Sequence, residues 1–139
     1  MRVLLSINPI HVENILKGIK TFEFRRRLFA RRDITTVLIY STMPVGRFVA
    51  EFDIADILED DPERLWKFTQ KGSGISKRFY DTYFAGRQKA FALQIGELRV
   101  FDKPINPLDV LVNFTPPQSY MYIGGRGEDI RRQQQLVLV

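Results

Sequence analysis

Residues 8 to 27 switch abruptly from helical to extended periodicity, and the rest of the chain has to fold around that junction. Asn8 reads as a helix cap, with Pro9 at the first helical position, where the missing N–H is no loss. Val12, Ile15 and Leu16 form an i, i+3, i+4 apolar stripe. Gly18 stops the helix, and Lys17 is placed to meet its last carbonyls. From Lys20 to Arg26 the period is two: Phe22 and Phe24 share one face, and Thr21, Glu23, Arg25 and Arg27 the other. One short strand, starting where a helix stops, therefore carries a lysine, a glutamate and several arginines.

The same region holds the charge asymmetry. Seven basic residues (Lys17, Lys20, Arg25, Arg26, Arg27, Arg31, Arg32) face one acid, Glu23, a local +6 in a chain of net +5. Everything outside it sums to −1, so the basicity is a stripe, as expected of a polyanion-binding surface.

The 139 residues fit one domain, large enough to bury a core without a metal or disulfide staple. There are no cysteines, which excludes disulfides, thiolate catalysis and cysteine zinc sites and fits a reducing compartment. The N-terminal apolar run is broken by Asn8-Pro9, too short for a signal-peptide core, and no apolar run approaches a membrane span. A cytoplasmic protein is expected.

Val3–Ile7 reads as a strand, and Thr36–Tyr40 and Arg47–Ile57 as a hairpin turning at Thr42–Gly46. Pro62 opens a helix after Asp60-Asp61, and Gly72-Ser73-Gly74 breaks it. Ser76–Phe84 reads as a further helix and Lys89–Phe101 as the longest strand. Asp102-Lys103-Pro104 bends the chain, a proline-punctuated loop runs from Pro104 to Pro117, and Ser119–Ile123 closes as a strand. Strands come in bursts with helices between them, so the expected class is α+β, or a small mixed β-barrel flanked by helices. Residues 1–123 form the domain, and 124–139, with the apolar Leu136–Val139 end, a C-terminal extension.

Three constellations carry chemistry. Lys20 with Glu23 is an acid–base pair in prospect, and Arg25 a bidentate holder of phosphate or carboxylate. The alternative is an outward-facing charged strand. Arg25, Arg26, Arg27, Arg31 and Arg32, interleaved with Phe24, Leu28 and Phe29, suit single-stranded nucleic acid: guanidinium for phosphate, rings for bases. Gln118, Ser119 and Tyr120 offer amide, hydroxyl and ring on a proline-led stretch able to read a base edge, or else an edge strand with core tyrosines. His11, the single histidine, reads as a surface or capping residue, and no zinc set accompanies it. Gly72-Ser73-Gly74 is a weak phosphate-nest motif. The run Asp53, Asp56, Glu59, Asp60, Asp61 reads as a helix-start cluster rather than a magnesium site. No metal or other cofactor is expected.

Taken together, S-I-N-P…I-L-K-G-I-K-T-F-E-F-R, the hairpin V-L-I-Y-S-T-M-P-V-G-R-F-V-A-E-F, Y-F-A-G-R-Q-K-A-F-A-L-Q-I and P-P-Q-S-Y-x-Y-I resemble the ASCH domain, a branch of the PUA-like superfamily. The resemblance runs from about Val3 to Ile123. It implies a small β-barrel with a cleft beside the strand bearing Lys20, and a role in RNA recognition. Two activities occur in that family: cleavage of single-stranded RNA, and amide hydrolysis of N4-acetylcytidine by a lysine, a threonine and a glutamate. The lysine matches Lys20. The threonine position falls on Glu23, and the glutamate falls near Thr69–Ser73, where no carboxylate stands.

The expected function is thus an RNA- or nucleotide-recognising module. It binds through Lys20, Glu23, Arg25, Gln118, Ser119 and Tyr120, with Arg26, Arg27, Arg31 and Arg32 on phosphates. The alternative is a hydrolase acting on RNA or a modified nucleoside, with Lys20 and Glu23 catalytic. The expected partner is RNA or a modified nucleoside or nucleotide, not a membrane.

Overall fold

The computed structural model describes residues 1–123; the expected extension at 124–139 lies outside the described residues. Six strands form one sheet in the order β2-β5-β4-β3-β1-β6. They are β1 (Arg2–Ile7), β2 (Phe22–Arg25), β3 (Thr36–Ser41), β4 (Arg47–Asp60), β5 (Ala90–Ile105) and β6 (Tyr120–Ile123). Four helices accompany them: α1 (Pro9–Leu16), α2 (Pro62–Thr69), α3 (Lys77–Tyr83) and α4 (Pro107–Val110). This is the α+β class the alternation of strands and helices implied.

The helix starts follow their caps. The side chains of Asn8, Asp61 and Ser76 each accept a backbone N–H at the head of α1, α2 and α3. Gly18 ends α1 with φ at 77°, the left-handed region a glycine enters without strain. The strands β3 and β4 form the expected antiparallel hairpin. The strand β5 runs further than its sequence pattern indicated, through Pro104 to Ile105. Its last residues pair with the start of β4, Phe48 opposite Ile105. The short helix α4 sits inside the stretch read as loop, and its Val110 joins Leu4, Leu38, Tyr40 and Phe48 in a buried cluster.

One connection sets the architecture. β1 runs parallel to β3, with Val3 opposite Val37, so the chain between them must cross over. That crossover consists of α1 and β2, but β2 pairs with β5 at the far edge of the sheet. Three strands separate β2 from β1 in the sheet order. Even so, the Arg25 guanidinium Nη2 donates to the Ser6 carbonyl at 3.1 Å. Only a strongly curled sheet brings these two strands together, and the six strands form a half-barrel. The main core lies inside the curl, where Val12 and Ile15 of α1 and Phe29 pack on Val3, Leu5, Val37, Ile39 and Leu93. A second core puts Leu65 of α2 and Tyr80 and Phe84 against Phe24 and Ala92.

Irregular pairing of β4 with β5 supplies the bend. The register shifts around Phe48, Ile54 and Asp56, as β-bulges do where a sheet must turn. Gly96 sits at this bend, where an added Cβ would lie 2.9 Å from the Asp53 carbonyl oxygen. Gly96→Ala should therefore cost about 1–3 kcal/mol. A lower urea midpoint at unchanged m-value checks it.

Candidate functional site

The crossover places its charged residues at the seam where the curled sheet fails to close. A cavity of about 270 Å³ opens there. The end of β1 (Ser6, Ile7), the head of α1 (Asn8, His11), the segment Lys20–Arg25, and Ile75, Phe79 and Tyr83 line it. The charged strand is not an outward-facing one: Lys20 is 2% exposed and Glu23 6%.

Lys20 is held from three sides. Its Nζ donates to the Ser73 carbonyl at 2.8 Å and lies 4.7 Å from the centre of the Phe24 ring. Its backbone N–H donates to the Asn14 carbonyl at 3.0 Å, and the next N–H, of Thr21, to the Gly72 carbonyl at 2.8 Å. The Gly72-Ser73-Gly74 motif thus presents acceptors rather than an anion nest: its carbonyls take up the Thr21 N–H, the Lys20 ammonium and the Asn14 amide. Both glycines let the loop approach closely, and Gly74 is required there. A Cβ on Gly72 would meet the Thr21 hydroxyl and the Phe22 ring, and one on Gly74, whose φ is +66°, would fall 2.6 Å from the Lys20 Cβ. Burial is the main influence on the Lys20 ammonium and holds its pKa below the ordinary lysine value; the Glu23 carboxylate counteracts this and Arg25 adds to it.

Glu23 and Arg25 project from the same side of β2, and Arg25 Nη2 lies 3.3 Å from Glu23 Oε2. The same guanidinium bonds to Ser6, while its buried Nε has no partner among the described residues. Ser6 Oγ in turn donates to the Pro117 carbonyl at 2.7 Å, tying the loop before β6 to the seam. Lys20, Glu23 and Arg25 together leave a surplus of one positive charge at the cleft floor.

His11 belongs to the cleft rather than to the surface. Its ring packs edge-on against Phe79 at 5.3 Å between centroids, and its pKa is lowered by burial first and by Lys20 next. Both influences favour the uncharged imidazole. A lone histidine beside an apolar stripe carries no sequence signal of this position.

A second cavity, about 400 Å³, adjoins the first and shares Arg25 and Tyr83 with it. Its other lining residues are Arg26, Arg27, Arg87, Gln118 and Ser119. The structure thus brings seven of the ten residues singled out for ligand binding to these two cavities, and Arg31, Arg32 and Tyr120 stand apart. Arg31 is held by Asp33 through a pair of hydrogen bonds at 2.7 and 3.0 Å, and Arg32 donates to the Phe29 carbonyl. Tyr120 packs on the Phe29 and Tyr122 rings, at 6.1 and 5.5 Å between centroids. Tyr83 and Arg87 escaped the sequence reading because their segment, α3 and the turn after it, shows only a helix signal. In the acidic run, Asp53 pairs with Arg99 and Asp61 caps α2, and among the described residues no cluster able to hold a metal ion occurs.

A half-barrel of mixed strands with a charged cleft at its seam defines a PUA-like domain. No family profile matches the chain. It is 29% identical over 126 residues to a Zymomonas mobilis protein described as an ASCH domain-containing ribonuclease, a match spanning 86% of this chain and 82% of that one. The crystal structure of ASCH from Zymomonas mobilis superposes with a TM-score of 0.83 at 28% identity, covering 99% of this chain and 94% of that one. Over most of its length the chain is thus similar to ASCH proteins in sequence and in fold. The N-terminal domain of Staphylothermus marinus McrB, at 15% identity and a TM-score of 0.58 over 92% of this chain and 90% of that one, shares the fold alone. Among the described residues no helix is long and apolar enough to cross a membrane.

The lowered Lys20 pKa has a stability consequence. Between the folded value and the ordinary 10.5, the unfolded chain binds the proton and the folded chain does not, so this group raises stability with pH through that window. Below the window the full cost of burying the ammonium is present. Lys20→Met removes both, so wild type should gain stability relative to the variant between about pH 7 and about pH 10. Urea midpoints of the two proteins at both pH values measure the difference.

Proposed function

We propose that this protein is an RNA-recognising module that takes a nucleotide into the Lys20–Glu23–Arg25 cleft and the adjoining phosphates onto the arginines beside it. The observation that carries the reading is the burial of Lys20 and Glu23 at the floor of an open, net-positive cavity. Desolvated charges strengthen hydrogen bonds to a ligand, and burying them costs stability that folding alone does not require. The cavity is near the lower end of the roughly 300–1,000 Å³ typical of small-molecule sites, a size for a base and its sugar rather than an extended ligand. Glu23 accepts hydrogen bonds from a base edge, Lys20 and Arg25 donate them, and Phe79 and Tyr83 offer faces for stacking.

A second reading, cleavage of RNA at this cleft, is favoured by the ribonuclease description of the Zymomonas mobilis relative and by the Lys20 and His11 pKa values, both lowered by burial. Such a step needs a base to take the 2′-hydroxyl proton and a cation to stabilise the pentavalent phosphate. Glu23 or neutral His11 fits the first part, and Lys20 or Arg25 the second. Amide hydrolysis of a modified nucleoside has less support, because Thr21, the nearest hydroxyl in sequence, does not line the cleft and lies near the Gly72 carbonyl.

Labelled single-stranded RNA, followed for binding and strand integrity together, tests both readings. Salt-dependent binding is expected, with a log–log slope of about −0.7 for each phosphate contacted. Binding without that slope overturns the proposal. Strand shortening that Glu23→Gln abolishes while binding persists establishes cleavage with Glu23 in it; shortening unchanged in that variant removes Glu23 from the chemistry.

A further inference from the structure

We infer that the second cavity is a phosphate site, separate from the cleft and divided from it by Tyr83, so that the ligand is phosphorylated: one nucleotide spans both compartments. The inference rests on the nucleic-acid reading above and narrows it. Four arginines, Arg25, Arg26, Arg27 and Arg87, line this trough with Tyr83, Gln118 and Ser119, and no carboxylate does. Among the described residues the side chains of Arg27 and Arg87 make no hydrogen bond or ion pair, while arginines outside the trough such as Arg31 and Arg99 are occupied, Arg31 by Asp33 and Arg99 by Glu51 and Asp53. Guanidinium groups converging on a hollow without an acid repel one another, and a bound anion relieves that repulsion.

The wall between the compartments is built, not incidental. The Arg26 guanidinium lies 4.2 Å from the centre of the Tyr83 ring, and its Nε donates to the Tyr83 carbonyl at 2.6 Å. Tyr83 Oη donates to the Phe24 carbonyl at 3.2 Å, which pins the ring from the opposite end. Phe79 continues the layer, 6.4 Å from Tyr83 between centroids and 10° from parallel, and His11 meets Phe79 edge-on. Arg26 is therefore a positioning residue for Tyr83, and Arg27 and Arg87 are the free charges of the trough. Arg25 belongs to both sides: it faces Glu23 in the cleft and reaches the trough. Tyr83 and Arg25 line both cavities, so a base against the aromatic layer in the cleft and a phosphate in the trough would lie on either side of one residue. Gln118 and Ser119 add neutral donors at the trough's rim, suited to phosphate oxygens.

The test is a titration of the whole protein, observed by amide NMR, with the four ribonucleosides, their 5′- and 3′-monophosphates, inorganic phosphate and a mixed-sequence single-stranded RNA decamer. At least one monophosphate should bind about tenfold more tightly than its nucleoside, the effect of a charge-assisted hydrogen-bonded contact. Arg87→Gln, an exposed change that leaves the fold intact by thermal melting, should erase that margin and leave the nucleoside shifts in place. The decamer's salt slope should fall by about one contact in this variant. Equal affinity for nucleoside and monophosphate in the wild type overturns the phosphate site while leaving the cleft reading standing. Inorganic phosphate binding as tightly as the best monophosphate overturns the one-nucleotide span. Failure of every probe, the decamer included, overturns the cleft reading together with this one.

Discussion

The Arg25 guanidinium bridges strands that no ladder joins. A sheet that curls without closing leaves backbone groups unpaired along its flanks, and such edges invite association or water. Here the hydrogen bond from Arg25 to the Ser6 carbonyl ties edge strand β2 to β1 across the opening. Ser6 passes the tie to Pro117 through its hydroxyl, and so to the loop before β6. The gap is thereby spanned by side chains rather than strands. Side chains can leave a hollow where strands would fill one, and both cavities lie along this seam and share Arg25. The crossover from β1 through α1 to β2 is what delivers the arginine, because it carries the chain from the inner part of the sheet to its far edge in one passage.

What the sequence announces about this arrangement is local. Helix heads at Asn8, Asp61 and Ser76, the hairpin turn at Thr42–Gly46 and the alternation from Phe22 to Arg25 follow from capping, turn chemistry and period, and the structure shows them. The pairing of β2 with β5 has no local signature, since it depends on a curl that arises from bulges distributed along β4. The cleft's membership depends on that curl. Lys20, Glu23 and Arg25 stood out by charge and by resemblance. His11, Tyr83 and Arg87 did not stand out as site residues, although the last two lie in the Y-F-A-G-R motif, because a histidine on a helix, a tyrosine at a helix end and an arginine in a turn look ordinary until the fold gathers them. Arg31 and Arg32 stood out for the same reason as Arg27, yet Asp33 and the Phe29 carbonyl engage them. Charge counting alone does not separate an engaged arginine from a free one.

The manner in which Lys20 is buried separates a structural from a functional role. A lysine buried for stability is expected against a carboxylate at contact distance, with the remaining protons satisfied. Lys20 instead has one carbonyl acceptor, from Ser73, and an aromatic face, from Phe24. Glu23 acts on it through the field and makes its closest recorded contact with Arg25. The fold has spent two glycines, one in the left-handed region, to bring a loop close enough for this incomplete coordination. Replacing the cluster with apolar side chains of similar size is the kind of change that often leaves buried ionic sites as stable or more so. That cost in stability, the special backbone and the donors facing a hollow are the physical ground for proposing that a ligand completes the coordination.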